Sequence, residues 1–295
     1  MDIRGNEIRG IRMEKIGIIA DTSQDFTFDL AKEYDIKIVP YTVHMGNDNF
    51  KDLVELDKET FYQKIDEVDS VGTSTPDIHT VVQAIKDLEN EGCTQILAIT
   101  SSSDMTGMAN LYESINHMEM NLPIKVFDGG QIGSAGALLA IEASKLRNKG
   151  LSIEQIYDRL VDLRPNANIY ALFRNLKYLV AGGRISRAKG AIGGLLGVSP
   201  ILTMASKKVG LVEKVRGNKR SLDRFIEILR ERVGSSTDYD LILFHGANPV
   251  EFAFLKEAVS DLIDKATLYI ETVMTPVLGA HTGPITVGFS ILNRN

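Results

Sequence analysis

The chain has a single cysteine, Cys93, and no tryptophan in 295 residues. One thiol excludes an internal disulfide and a zinc cage built from cysteines. Without Trp, and with aromatics at 7%, it has little of the stacking surface that grips single-stranded nucleic acid. Positive charge is also short: 33 Lys and Arg against 39 Asp and Glu leave a net charge of −6, so nucleic acid is not an expected partner. No apolar run approaches the roughly 20 residues of a spanning helix, and no integral membrane segment is expected. The opening MDIRGNEIRGIRMEK is charged where a secretory leader would be apolar, which points to the cytoplasm. The five histidines, at 44, 79, 117, 245 and 281, are not spaced as a metal pair on one helix or strand, so no metal and no cofactor is expected. GxxxxGK[ST], GxGxxG and GxSxG are all missing, and no catalytic residue is nominated.

What is present is a globular composition, 44% hydrophobic and 24% charged, in a chain too long for the usual single core of roughly 100 to 200 residues. Two domains with a cleft are the expectation. KIGIIA (15–20), IKIVPYTV (36–43), QILAIT (95–100) and IKVFD (124–128) read as strands. Between them Phe28, Leu30, Ala31 and Tyr34, and then Ile78, Val81, Val82, Ile85 and Leu88, recur at helical spacing; Leu139, Ala143 and Leu146 follow the last strand. That alternation implies a parallel sheet covered by helices. Residues 46–61 fit neither pattern and are expected to form an irregular excursion at the sheet edge.

After Gly150 the order changes. A helix from Ser152 to Leu163 precedes a strand at 168–173, a hairpin from VSPILTMA and KKVGLVEKVRG, helices at 219–232 and 249–263, and strands at 241–246, 267–273 and 285–292. The fold class is therefore α/β in two domains, the first with a parallel and the second with a mixed sheet. The expected division is an N-terminal extension at 1–12, a first domain at 13–165 and a second at 166–295.

Ligands of open parallel sheets sit beyond the carboxyl ends of the strands. The loops there, DTSQD (21–25), TSSSDMTG (100–107) and DGGQIGSAG (128–136), offer hydroxyls, amides and glycines without one basic side chain. The carboxylates of DTSQD and Asp128 could hold magnesium, but such pairs at strand ends are common. GTSTPD (72–77) reads as a helix cap through Asp77 or as a hydroxyl cluster with a ligand role. His281 stands in HTGPITVG between two strands, where a loop could aim its ring into a cleft. AGGRISRAKGAIGGLLG (181–197) packs six glycines with two arginines and a lysine but fails the phosphate-loop pattern. Its second half, AIGGLLG, reads either as a tightly packed turn or as a smooth apolar wall, with Arg184 a single fixed charge beside it.

Taken in order, these segments resemble the DegV family. DTSQD is similar to its DSxxD, GTSTPD to TSQPS, SSDMTGM (102–108) to SSxLSGT, LKYLVAGGRIS (176–186) to the family's own wording, and HTGPITVG (281–288) to HxGPGxxG. The resemblance implies a fatty-acid-binding protein without catalytic activity of its own, the acyl-carrying subunit of a bacterial fatty acid kinase, with the lipid site between or beside the domains. Its partners would be a long-chain fatty acid in a buried apolar tunnel and a dihydroxyacetone-kinase-like fatty acid kinase that phosphorylates the presented carboxylate. The ligand-binding residues it implies are Thr73, Ser74, Ser103, Thr106, Gly107, Arg184, His281 and Thr282. Met108 and Ile285 depart from the family pattern and are expected to add bulk beside the head group.

Magnitudes agree with an apolar ligand: about fifteen buried methylenes at about 0.8 kcal/mol each supply on the order of 12 kcal/mol before ordering costs. The head group then needs only hydrogen bonds enough to offset its desolvation. The competing reading is a metal-assisted small-molecule phosphotransferase or hydrolase that uses the DTSQD and Asp128 carboxylates.

Overall fold

A computed structural model of the chain describes residues 14–294 apart from 119, 185–196 and 206. The expected extension at 1–12 and nearly all of AIGGLLG lie outside the described residues. The N-terminal half runs β1 (Ile16–Asp21), α1 (Phe28–Glu33), β2 (Lys37–Val39), β3 (Thr42–Met45), β4 (Asp48–Lys51), α2 (Lys58–Lys64), β5 (Val71–Ser74), α3 (Ile78–Asn90), β6 (Gln95–Thr100), α4 (Met108–Asn116), β7 (Ile124–Asp128), α5 (Ser134–Asn148) and α6 (Ile153–Leu163). The C-terminal half continues with β8 (Ala167–Leu172), α7 (Lys177–Ala181), β9 (Val198–Ala205), β10 (Lys208–Arg216), α8 (Asn218–Val233), β11 (Tyr239–His245), α9 (Pro249–Ala258), α10 (Ser260–Ile263), β12 (Leu268–Val273), α11 (Pro276–Thr282) and β13 (Val287–Asn293).

The first sheet is parallel, in the order β2-β1-β6-β7. Its strands are apolar on both faces because helices cover both. Alternate residues divide cleanly: Ile19, Ile96 and Ala98 join the core under α3 and α4, while Ile18, Leu97 and Ile99 join the core under α5 and α6. α3 starts where Asp77 accepts a hydrogen bond from Thr80 N at 2.9 Å, and its Val81, Ile85 and Leu88 face inward at helical spacing. The second sheet is mixed, in the order β10-β9-β8-β13-β11-β12, with only β11 and β12 parallel.

α5 joins the halves. It contacts β1 and β6 on one side and β8, β11 and β13 on the other, and small residues such as Gly136, Ala140 and Ala143 let it pass between them. A Cβ on Gly136 would stand 2.9 Å from Gln24 Cγ. The core that contains Tyr41, Val81 and Ile96 from the first half also contains Phe173, Leu202 and Val277 from the second.

Four expectations change. IKIVPYTV is two strands: Pro40 lacks the N–H a ladder needs, and after it the chain leaves the parallel sheet for a third, antiparallel one. Residues 46–61 are regular over half their length, supplying β4, which pairs with β3 in the order β4-β3-β5, and the start of α2, with turns between them. Thr73 and Ser74 lie on β5 rather than in a loop, paired with Val43 and Thr42. The helix expected at 249–263 is divided into α9 and α10 at Val259, whose φ of −121° is not helical.

Candidate functional site

The loops beyond β1, β6 and β7 carry Ser23, then Ser103 to Gly107, then Ile132 and Gly133 to one wall of a cavity of about 340 Å³. The strand order places them there, as expected for the carboxyl edge of a parallel sheet. The third sheet adds Thr73 and Ser74 from β5. The second half closes the cavity with Ile169 and Ala171 of β8, Phe173, Leu202 and Met204 of β9, Val209 of β10, and Val277 and Leu278 of α11. Most of the lining is apolar; the polar groups come mainly from the short segments that leave the strands.

α11 is the element that crosses between halves. Its first turn docks on the N-terminal half, where Asp25 Oδ1 accepts from Thr275 N at 3.0 Å and Thr275 Oγ1 donates to Thr22 O at 3.1 Å. Lys58 Nζ donates to Thr272 Oγ1 at 3.0 Å and to Val273 O, fixing the approach to the helix. Burial pushes the Asp25 carboxyl up to about 6 and Asp52 up to about 7, in each case with Lys58 opposing the rise. His281 lies in the last turn of this helix, not in the loop expected from sequence. Its Nε2 and Thr73 Oγ1 are hydrogen-bonded at 2.8 Å, while Nδ1 is sealed from solvent without a partner. Burial, with the Arg184 guanidinium nearby, pushes the imidazole down to about 3, so the ring is neutral at physiological pH.

Around this pair the polar groups gather. Arg184 Nη1 donates to Gly182 O at 2.8 Å, and its charge reaches both His281 and Tyr41. Tyr41 OH lies beside the Thr106 and Ser23 hydroxyls, and among the described residues neither it nor Thr106 Oγ1 completes a hydrogen bond. Ser23 Oγ is bonded to Asp21 Oδ1 and lies 2.8 Å from Ser101 Oγ. Asp21 is buried, and desolvation raises its carboxyl to about 7 against the bonds from Ser23. A buried polar atom left unpaired costs about 1–3 kcal/mol, so three such atoms on one cavity wall mark a place built to hydrogen-bond something.

All eight residues nominated from sequence, Thr73, Ser74, Ser103, Thr106, Gly107, Arg184, His281 and Thr282, line this cavity. Their hydrogen-bonding capacity differs. Ser103 Oγ donates to Asp128 Oδ2 at 2.6 Å and Thr282 Oγ1 donates to Leu278 O at 3.0 Å, so those protons are already engaged. Ser74 Oγ is bonded to His44 Nε2 at 3.1 Å at the rim. Met108 and Ile285 do not add bulk to the cavity: Met108 is fully buried in the core beneath α4, and Ile285 is 42% exposed on the surface. Sequence reading missed Tyr41, whose only signal was an aromatic directly after the strand-breaking Pro40, and placed Ser23 in a hydroxyl-bearing loop without nominating it as a ligand residue. Of the carboxylates of the metal-assisted reading, Asp21 Oδ1 accepts from Ser23, Asp25 Oδ1 accepts from Thr275 N, and Asp128 is held by Lys207 and Ser103, while Asp21 Oδ2 and Asp25 Oδ2 are buried without a partner among the described residues. Among the described residues no group of three or more His, Cys, Asp or Glu is placed to hold a metal ion.

These features define a two-domain α/β protein built around an apolar cavity with one polar wall. The chain belongs to the DegV family: the family model described as "Uncharacterised protein, DegV family" matches residues 15–294. A DegV domain-containing protein of Clostridium acetobutylicum is 30% identical over 283 residues, covering 96% of this chain and all of the relative. A Thermotoga maritima structure described as revealing fatty acid binding function is 26% identical with a TM-score of 0.82, over 95% of this chain and 100% of that one. The fold is also that of DegV from Bacillus subtilis, described as a fatty acid binding protein, with a TM-score of 0.87 and 24% identity over 95% of this chain and 100% of that one.

Proposed function

We propose that this protein binds a long-chain fatty acid, with the acyl tail along the apolar walls and the carboxylate at the Thr73–Thr106–His281–Arg184 wall. The observation that carries the reading is the coincidence, on one face of an otherwise apolar cavity, of a neutral imidazole, a guanidinium and two unpaired buried hydroxyls. Thr106 Oγ1 and Tyr41 OH donate to the carboxylate; in the Nε2–H tautomer the His281 ring donates to Thr73 Oγ1, whose own hydroxyl then donates to the carboxylate, and Arg184 supplies the countercharge. The Thermotoga relative's fatty acid binding supports the same ligand class here.

In the fuller form of the proposal the protein is a cytoplasmic carrier without catalysis of its own. Its domains, 13–165 and 166–295, hold the lipid while a dihydroxyacetone-kinase-like fatty acid kinase phosphorylates the carboxylate. This part of the reading rests on the resemblance of the DTSQD, SSDMTGM, LKYLVAGGRIS and HTGPITVG segments to the family's motifs. The test is native mass spectrometry of protein purified from cells, followed by lipid extraction and by incubation with a partner kinase and ATP. About one fatty acid per chain and formation of acyl phosphate support the proposal. A protein that carries none and takes up none overturns it; uptake without acyl phosphate overturns the kinase role alone.

A further inference from the structure

β9 and β10 cover one side of the cavity through Leu202, Met204 and Val209, yet neither strand pairs with the first domain. Beside the packing of Leu202, Val209 and Leu211 in the shared core, a small polar cluster around Asp128, at the end of β7, fastens them to it. Lys207, which leads into β10, places Nζ 2.6 Å from Asp128 Oδ2. The same carboxylate accepts from Ser103 Oγ at 2.6 Å and, through Oδ1, from Gly130 N at 2.9 Å. Ser102 Oγ donates to the main-chain oxygen of Lys207 at 2.8 Å, and Lys208 Nζ lies 3.6 Å from Asp104 Oδ2. Arg164 Nη1 donates to Asp128 O at 3.0 Å from behind.

The arrangement is more than an incidental surface pair. Burial alone would raise the Asp128 carboxyl; the bonds from Lys207, Ser103 and Gly130 outweigh it and hold it below the ordinary carboxylate range. Lys207 adopts φ of +67°, a backbone conformation unfavourable for a residue with a side chain, at the point where its ammonium meets Asp128. The Ser103 hydroxyl, nominated as a ligand group, is instead committed to this cluster. The apolar faces of β9 and β10 meet the 102–107 loop across the cavity, so parting the two opens the apolar side directly.

We propose that Lys207 and Asp128 form a latch that holds the β9–β10 hairpin against the 102–107 loop, and that releasing it opens the route by which the acyl chain enters and leaves. The proposal rests on the fatty acid reading above and adds the element that sets the exchange rate. Asp128 and Lys207 are positioning residues: neither lines the cavity.

The experiment is stopped-flow exchange of cis-parinaric acid on the full chain, for wild type, Lys207→Ala, Asp128→Asn and Lys207→Arg. The latch is partly exposed, so its loss is expected to raise the dissociation rate about threefold to tenfold. The association rate rises in parallel, leaving Kd within about twofold, a kinetic split that a general loss of packing would not produce. Lys207→Arg restores slow exchange, and raising salt speeds exchange in wild type more than in Lys207→Ala. Unchanged rates in Lys207→Ala and Asp128→Asn, or a loss of affinity equal to the gain in dissociation rate, overturn the latch. Absence of uptake by wild type overturns the carrier reading itself, a separate outcome visible in the first mixing experiment.

Discussion

Gly182→Ala probes the head-group wall without replacing a ligand-binding residue. Gly182 closes α7 with φ of −73° and ψ of −4°, a conformation alanine adopts freely. By backbone alone the substitution should stabilise the chain by about 0.4–1 kcal/mol. The new methyl, however, would stand 2.3 Å from His281 Nδ1 and 3.0 Å from its Cε1. The imidazole must shift, and its bond to Thr73, 2.8 Å long, is what holds it in place. Losing that bond costs about 1 kcal/mol, and losing a charge-assisted bond to a carboxylate costs about 1.5–3 kcal/mol more. Affinity for a long-chain fatty acid should therefore fall about tenfold to a hundredfold, while the melting temperature moves by only a few degrees. Gly183→Ala is the control: its φ is +69° with open space around the added carbon, so it should cost about 1 kcal/mol of stability and leave affinity alone. Isothermal titration with fatty acid, beside thermal unfolding, measures both. Wild-type affinity in Gly182→Ala, or equal losses of affinity in the two variants, would refute the argument.

Tyr41→Phe removes a buried hydroxyl with no completed hydrogen bond, so ligand-free stability should hold or rise slightly while fatty acid affinity falls about threefold to tenfold by equilibrium titration. Asp21, Asp25 and Asp52, raised to about 7, 6 and 7, bind protons in the folded state that the unfolded chain has already released. Their contribution to stability is present below about pH 4 and is lost as pH rises through 6 to 7. Melting temperature should accordingly drop between pH 5 and pH 8, and Asp52→Asn should flatten that slope; an unchanged slope would show that Asp52 does not titrate there. Asp77→Ala removes the cap on Thr80 N and should cost about 1 kcal/mol in chemical denaturation without altering affinity, separating the capping role of GTSTPD from its ligand role.

The parts of the fold legible in sequence are those where one physical signal dominates. IGIIAD and QILAIT are buried on both faces and therefore read as continuous apolar runs. α3 carries a strong amphipathic repeat behind an Asp cap. The third sheet was hidden because β4, DNFK, and β5, VGTS, have no apolar alternation and acquire their strand form from pairing with β3. α11 was hidden because PVLGAHT is short and carries a glycine, and its helix is fixed from outside by Asp25 and Thr22. The site was partly legible through its ordered hydroxyl and histidine motifs. Tyr41 was not, because its position depends on Pro40 ending one strand and the chain turning toward Thr106, a tertiary consequence that no local pattern announces.

The apolar part of the cavity wall belongs to the principal core: Tyr41, Ala171, Phe173, Leu202, Val277 and Leu278 are in both. A lipid bound there acts as one more piece of hydrophobic interior, supplied from outside the chain and shared by the two halves. Folding and cargo are therefore thermodynamically linked, with about 2.7 kcal/mol of added stability when free lipid is a hundred times Kd. Between two otherwise identical molecules in a cell, the loaded one unfolds less often and is the poorer target for proteases. On the fatty acid reading proposed above, the protein's abundance would become a readout of lipid supply, a form of feedback that needs no sensor beyond the packing of its own core.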